Sequence, residues 1–326
     1  MSGLAEFEGA MVGLAVGDAL GFPTEFRSRA AILEAFGPAG VTDFVALHDP
    51  RWGPKPFIVG PRHPAGTYSD DTQMSLAVAE ALLDAGAPDL EPVMEAMARR
   101  FVAWSRSEDN DRAPGSTCMA GCRSLGAGTA WRDSGVPDSK GAGAPMRAVP
   151  IGLRLWRDRD AMLALARASS VPTHGHDAAV EGAAAVALMT AMALEKQTPR
   201  AIYDAIMAEC APRSSDLRAC LARLPDLLDG DPAHVLSAAG LGEAWVAEEA
   251  VACALWCFWR SPSDFRRTVL TAANTDGDSD TIACIAGGVS GAFNGIEAIP
   301  QEWRDRVENS RALLALAGRL HDATAR

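Results

Sequence analysis

Gly9-Ala-Met-Val-Gly-Leu-Ala-Val-Gly-Asp-Ala-Leu-Gly21 sets a glycine at every fourth position of an otherwise apolar run. Residues four apart share one face of an α-helix, so the glycines form a stripe. Each mid-helix glycine costs about 1 kcal/mol against alanine. A row of them therefore points to a second backbone pressed against that face. Gly287, Gly291 and Gly295 repeat the pattern near the C-terminus, and both segments are expected to be central helices of the core. A membrane-dimer reading of the seam fails, because Glu8 and Asp18 interrupt an already short segment.

Outward from these seams the chain reads as helix. Ala, Leu, Met and Glu dominate, with apolar residues recurring at three and four. Helices are predicted near 6–20, 71–86, 91–106, 115–129, 145–156, 160–169, 176–196, 199–210, 214–229, 246–259, 263–273, 281–294 and 302–322. Convincing alternating strands are absent, and no composition shift marks a linker. The expectation is a single all-α domain over residues 1–326. The longest irregular stretch, 37–66, is rich in Pro and Gly; structureless loops of that length are often functional.

The formal charge is −12, from 30 basic and 42 acidic residues. That argues against non-specific binding to nucleic acid or to anionic membranes, whose phosphates must be met by Lys and Arg. Seven cysteines is an odd count, and none has further Cys or His at metal-ligand spacing. Cys118 and Cys122, like Cys253 and Cys257, would share a helix face. They read as small core residues in a reducing cytoplasm. The N-terminus has no basic region of a signal peptide, and no apolar run is expected to reach the ~18 residues of a membrane span.

Two acidic clusters each precede an apolar run: Ser69-Asp70-Asp71-Thr72 and Asp276-Gly-Asp278-Ser-Asp280-Thr281. The simplest reading is helix capping, since Asp and Ser are good N-caps and suit the positive end of the helix dipole. Asp70 with Gln73 resembles a capping box. Capping needs one side chain, however, and carboxylates about 4 Å apart repel by about 4 kcal/mol at an effective dielectric of about 20. A cation would relieve that. All candidate ligands are oxygens, which suit Mg2+, Mn2+ or Ca2+ rather than zinc. The second cluster starts like an EF-hand loop, but Thr281 stands where glycine is needed and Gly287 where glutamate is needed. Five carboxylates exceed the charge of one divalent ion, which favours two ions in a site assembled by folding.

In order, the blocks Gly9–Gly21 with Glu25-Phe26, Ser69–Thr72, Gly141–Arg147 running into Pro150–Leu153 with Thr173-His174, and Gly277–Thr281 with Ala283–Gly291 resemble the ADP-ribosylglycohydrolase family. Dinitrogenase reductase-activating glycohydrolase is a type member. Trp245 and Glu248-Glu249-Ala250 fit the segment leading to the fourth block. The resemblance implies an orthogonal all-helical fold with two divalent cations, Mg2+ or Mn2+, in a central cleft. It implies Ser69, Asp70, Asp71, Asp278, Asp280 and Thr281 as metal ligands. Glu25, Asp70 and Asp71 would be the catalytic carboxylates, and Ser139, Gly141, Ala142, Gly143, Met146 and His174 would face the substrate. Ala142 stands where many relatives carry Asn, and Ser139 where some carry an acid. Asp276 stands where Gly is common.

The implied reaction removes ADP-ribose from a modified acceptor. Arginine on protein is the expected acceptor, because the resemblance includes bacterial members that act there. An ADP-ribosylated protein would be the substrate and ADP-ribose the product. Serine, O-acetyl-ADP-ribose or a nucleic acid base is the enzymatic alternative. A non-catalytic descendant is another, since the fold also occurs in lens crystallins; retention of all six ligand positions argues against it. Read by itself, Glu25 is a surface carboxylate on a loop that Pro23 opens. The 141–147 segment is a Gly/Ala-rich turn, His174 and His176 are helix-start polar residues, and Arg147 reads either as a phosphate contact or as a structural ion. Trp104, Trp131, Trp156, Trp256 and Trp259 read as core.

Overall fold

The computed structural model describes residues 3–53 and 63–324. In chain order the helices are α1 (Leu4–Gly21), α2 (Arg29–Phe36), α3 (Asp70–Asp84), α4 (Leu90–Ser105), α5 (Ser116–Gly126), α6 (Val149–Leu155), α7 (Arg159–Ser170) and α8 (Asp177–Leu194). They continue as α9 (Pro199–Glu209), α10 (Ser215–Ala222), α11 (Pro232–Val235), α12 (Ala247–Arg260), α13 (Phe265–Ala273), α14 (Ser279–Asn294), α15 (Gln301–Arg306) and α16 (Ser310–Thr324). Among the described residues there is no strand, only the isolated bridges Val136–His174 and Gly141–Val246.

The glycine seams explain the centre. α1 and α14 run antiparallel, with Gly9 against Gly291, Gly13 against Gly287, Gly17 against Ala283 and Gly21 against Asp280. A Cβ on Gly13 would lie 2.5 Å from the Gly287 carbonyl oxygen, so no side chain fits between the two backbones. Gly295 belongs to the C-cap of α14 rather than to its body, at φ 79°. α13 and α16 pack on this pair, and α8 joins it to α6, α7 and α12. One hydrophobic cluster runs through all of these helices.

α8 is long and apolar enough by length and composition to cross a membrane. It carries Asp177 and Glu181, and 89% of it is buried inside the fold, so it is the core helix of this packing. The seven cysteines are buried and unpaired. Trp256 and Trp104 are core residues, whereas Trp131, Trp156 and Trp259 only pack against its edge.

Several boundaries differ from the sequence reading. The stretch 302–322 is two helices, because Val307 is extended and Asn309 sits at φ 55°. That break lets Glu308 donate its N–H to Gly66 O and pair with Arg112. Within 214–229 the helix stops at Ala222, and one three-ten turn follows at Pro225–Leu227. Likewise 145–156 opens as a three-ten turn at Pro145–Arg147 before α6. α2 falls where no helix was expected: Ser28 caps it by accepting from Ala31 N–H, and Gly37 at φ 84° ends it. Of the 37–66 stretch, residues 54–62 lie outside the described residues, and the remainder is turn and coil.

Candidate metal-binding cleft

The antiparallel seam decides which side chains meet. It sets the C-terminal end of α1 against the N-terminal end of α14, where a Cβ on Gly21 would lie 2.6 Å from Asp280 N. One turn earlier on α1, the fully buried Asp18 carboxylate accepts from Ser69 N–H (2.8 Å), Thr72 N–H (2.9 Å) and the Thr72 hydroxyl (2.5 Å). Asp18 thus fixes the N-terminus of α3 beside that of α14, and the two acidic clusters converge. Sequence reading missed this role. The signal was a lone acid in an apolar helix, a group too costly to bury without partners.

Glu25, Asp70, Asp71, Asp278, Asp280 and Thr281 line one cleft together with Gly141, Ala142, Gly143, Met146 and His174. One carboxylate oxygen from each of Glu25, Asp278 and Asp280 lies within 4.8 Å of the other two. Ser69 and Ser139 do not line the cleft wall. Ser69 is fully buried as the N-cap of α3, its hydroxyl accepting from Asp71 N–H. Ser139 stands behind Thr117, hydroxyl to hydroxyl at 3.1 Å.

Capping uses only one of these acids, Asp280, whose Oδ1 accepts from Thr281 N–H at 3.1 Å. The cap of α3 is Ser69, not Asp70, and Gln73 bonds Trp104 Nε1 and Asp109 O instead of closing a box. Asp278 is the N-cap residue of α14, yet its side chain makes no cap hydrogen bond. Asp276 lies outside the cluster and accepts from Arg29 N–H at 2.7 Å. Asp71 Oδ2 is buried with no hydrogen-bond partner. Burial pushes the carboxyls of Asp70, Asp71 and Asp278 well above the usual range. Glu25 adds most to the shift at Asp70, and Asp280 adds most at Asp71 and Asp278. Asp18 is raised to about 7 by burial and by Asp280. An orphaned oxygen among crowded, desolvated carboxylates fits a hard divalent cation, and these donors are the residues that would hold it.

Glu25 was expected on an exposed loop, but it is only 7% exposed. The turn after α1 is pinned: Thr24 Oγ1 donates to Ala273 O at 2.8 Å and lies 2.9 Å from Ser279 Oγ, while Glu25 N–H bonds Gly21 O. Among the described residues, none from 37–53 or 63–66 lines the cleft. The rim instead carries Phe26 and Trp245, both partly exposed and stacked at 4.9 Å and 21°. Phe26 and Ala113, also at the rim, sit at φ 60° and 57°. Such left-handed turns in non-glycine residues cluster at functional sites.

The loop over the cleft is tied to the start of α12. Ala142 N–H bonds Trp245 O, Ala247 N–H bonds Lys140 O, and Lys140 Nζ pairs with Glu248 (2.6 Å) and Asp216 (3.0 Å). His174 lies beneath it, its Nδ1 2.8 Å from Thr173 Oγ1. Burial and then Arg147 hold His174 down to about 3, so its ring is neutral. A Cβ on Gly143 would lie 2.6 Å from Cys118 Sγ and 2.8 Å from His174 Cε1, which explains that glycine. His176 is a plain helix cap, accepting from Ala178 N–H. Arg147 is fully buried and bonds Gly143 O, Ser169 O and Thr173 Oγ1, so it braces the loop from behind and does not face the cleft.

This is the all-helical fold of ADP-ribosyl hydrolases, with an acid-floored cleft under a glycine-containing loop. The chain belongs to the ADP-ribosylglycohydrolase family, whose profile matches residues 3–326, and it is a hydrolase of that family. It is 26% identical to ADP-ribosylarginine hydrolase Tri1 of Pseudomonas putida, over 97% of this chain and 77% of that protein. It is 29% identical to human ADP-ribosylhydrolase ARH3, over 98% of this chain and 93% of that one. A solved ADP-ribosylglycohydrolase-related protein complex superposes with a TM-score of 0.77 at 27% identity, covering 98% of each chain.

Proposed function

We propose that this protein hydrolyses the N-glycosidic bond between C1 of the distal ribose of ADP-ribose and an arginine side chain on a modified protein. Two divalent cations, Mg2+ or Mn2+, would be its cofactors. The observation that carries the reading is the convergence of five carboxylates on one cleft, with Asp71 Oδ2 buried and unpartnered. Asp70, Asp71, Asp278, Asp280, Thr281 and Ser69 are the proposed ligands. Bound cations would supply neutralising charge and Lewis acidity for ribose hydroxyls and water.

The chain's own groups do the rest. Glu25 accepts a proton from the attacking water as the C1–O bond forms and the C1–N bond breaks, and the proton lost is made good at the departing nitrogen. Gly141, Ala142, Gly143, Met146 and His174 hold the ribose and diphosphate, and Ser139 positions the Thr117 hydroxyl at the same wall. Backbone N–H groups at the glycines approach the phosphates. The stacked Phe26–Trp245 pair favours arginine, because a planar guanidinium lies flat on an aromatic face. Serine has no such plane. Seven unpaired cysteines fit a reducing cytoplasm.

Defined ADP-ribosyl-arginine and ADP-ribosyl-serine peptides, and O-acetyl-ADP-ribose, test the proposal with Mg2+, Mn2+ or EDTA. Release of ADP-ribose should be fastest from arginine and abolished by EDTA. Faster release from serine or the O-acetyl ester overturns the acceptor, and no release from any substrate overturns catalysis. Glu25→Gln should still bind ADP-ribose while single-turnover cleavage falls by about 10²–10⁴-fold. Unchanged cleavage would remove Glu25 from the reaction.

A further inference from the structure

A second cavity, of about 390 Å³, is lined by Arg29 at the start of α2 and by Arg266, Arg267, Asp264, Thr271 and Asn274 on and around α13. It shares none of its lining with the acidic cleft. The chain carries 42 acidic residues against 30 basic ones, so an arginine can usually find a carboxylate. Arg266 does: it pairs with Glu302 at 3.2 Å, donates to Thr42 O and stacks on Trp303 at 4.6 Å. The guanidinium groups of Arg29 and Arg267 have no hydrogen bond or ion pair among the described residues; only their backbone N–H groups are engaged, with Asp276 and Asp264. Asp264 caps α13 through that contact. Asp264, Asp276 and Glu302 balance the three arginines in charge, yet the guanidinium forks of Arg29 and Arg267 remain unused among the described residues.

Like charges left facing one cavity repel, and an anion between them reverses the sign of that term. Guanidinium forks match a tetrahedral oxyanion through paired N–H donors. The Thr271 hydroxyl, which has no hydrogen-bond partner among the described residues, supplies a further donor at the same wall. The Asn274 amide is already used on Val41 and Leu270, so it forms wall and not ligand. The volume suits a phosphate with a sugar-sized body attached. We propose that this cavity is an anion site for a phosphate dianion, either free or as a small phosphomonoester, held by Arg29, Arg267 and Thr271.

The test is calorimetric titration of the full chain in EDTA at fixed chloride. Inorganic phosphate is one titrant, glucose 6-phosphate a second, and glucose the control. Saturable one-to-one binding of phosphate at millimolar or lower concentration is expected, with no binding of glucose. Arg29→Gln and Arg267→Gln should each weaken it by about tenfold or more. Both side chains lie at the surface, so unchanged circular dichroism melts will show that the variants fold. Tighter binding of glucose 6-phosphate identifies a phosphomonoester site, and equal binding identifies free phosphate. Absence of saturation with both titrants, or equal affinity in wild type and both variants, overturns the proposal.

Discussion

Gly13→Ala tests the seam on which the cleft depends. The new methyl carbon would lie 2.5 Å from Gly287 O and 3.1 Å from Phe265 Cε2. An unstrained carbon–oxygen contact is near 3.4 Å, so α1 and α14 must part by on the order of 1 Å. Overpacking of this kind costs about 1–3 kcal/mol. Here the obstacle is backbone in the middle of a helix, so the upper part of that range applies. Alanine returns about 1 kcal/mol of helix propensity. The net loss is therefore about 1–2 kcal/mol, read by urea denaturation. Gly318→Ala is the matched control: it lies within α16, and its nearest neighbour to an added Cβ is Leu4 Cδ1 at 4.0 Å. That variant should gain up to about 1 kcal/mol. The seam also holds Asp280 against Gly21, so Gly13→Ala should weaken stabilisation by Mg2+ as well. A Gly13→Ala protein as stable as Gly318→Ala would refute the close approach.

Asp280→Asn should raise the melting temperature of the metal-free protein, by relieving repulsion with Asp71, Asp278 and Asp18, and should abolish the rise on adding Mg2+; thermal melts with and without the ion check both signs. Metal-free wild type should lose stability as pH rises from about 5 to 8. The sign follows from raised carboxyl values at Asp18, Asp70, Asp71 and Asp278: above about 4 the folded state holds protons that the unfolded chain has released, so stability falls towards and beyond 7. Mg2+ should shrink the drop, and a metal-free melting temperature that rises over this interval would contradict it. Arg147→Met should cost about 2 kcal/mol or more by stranding the Gly143, Ser169 and Thr173 acceptors, measured by urea denaturation; a fully stable variant that loses only phosphate affinity would return Arg147 to the substrate.

The sequence by itself determined the class of the fold. Period-four glycines and apolar residues at three and four specify helices, and a glycine stripe has little use except contact with another backbone. The surplus of acids over caps was equally legible, because the helix starts after Ser69 and Asp278 and each needs only one cap. Local pattern did not determine where chain breaks serve distant contacts: Asn309 splits one apparent helix so that Glu308 can reach Gly66 and Arg112. Nor did it show Glu25 as buried, since Thr24 is pinned by Ala273 and Ser279 from the far end of the chain. Only the tertiary structure decided that Asp18 clamps α3, that Arg147 braces the loop from behind, and that the guanidinium groups of Arg29 and Arg267 meet no carboxylate among the described residues. Each outcome depends on which partners arrive across hundreds of residues, and burial and hydrogen bonding are properties of that arrival, not of the local sequence.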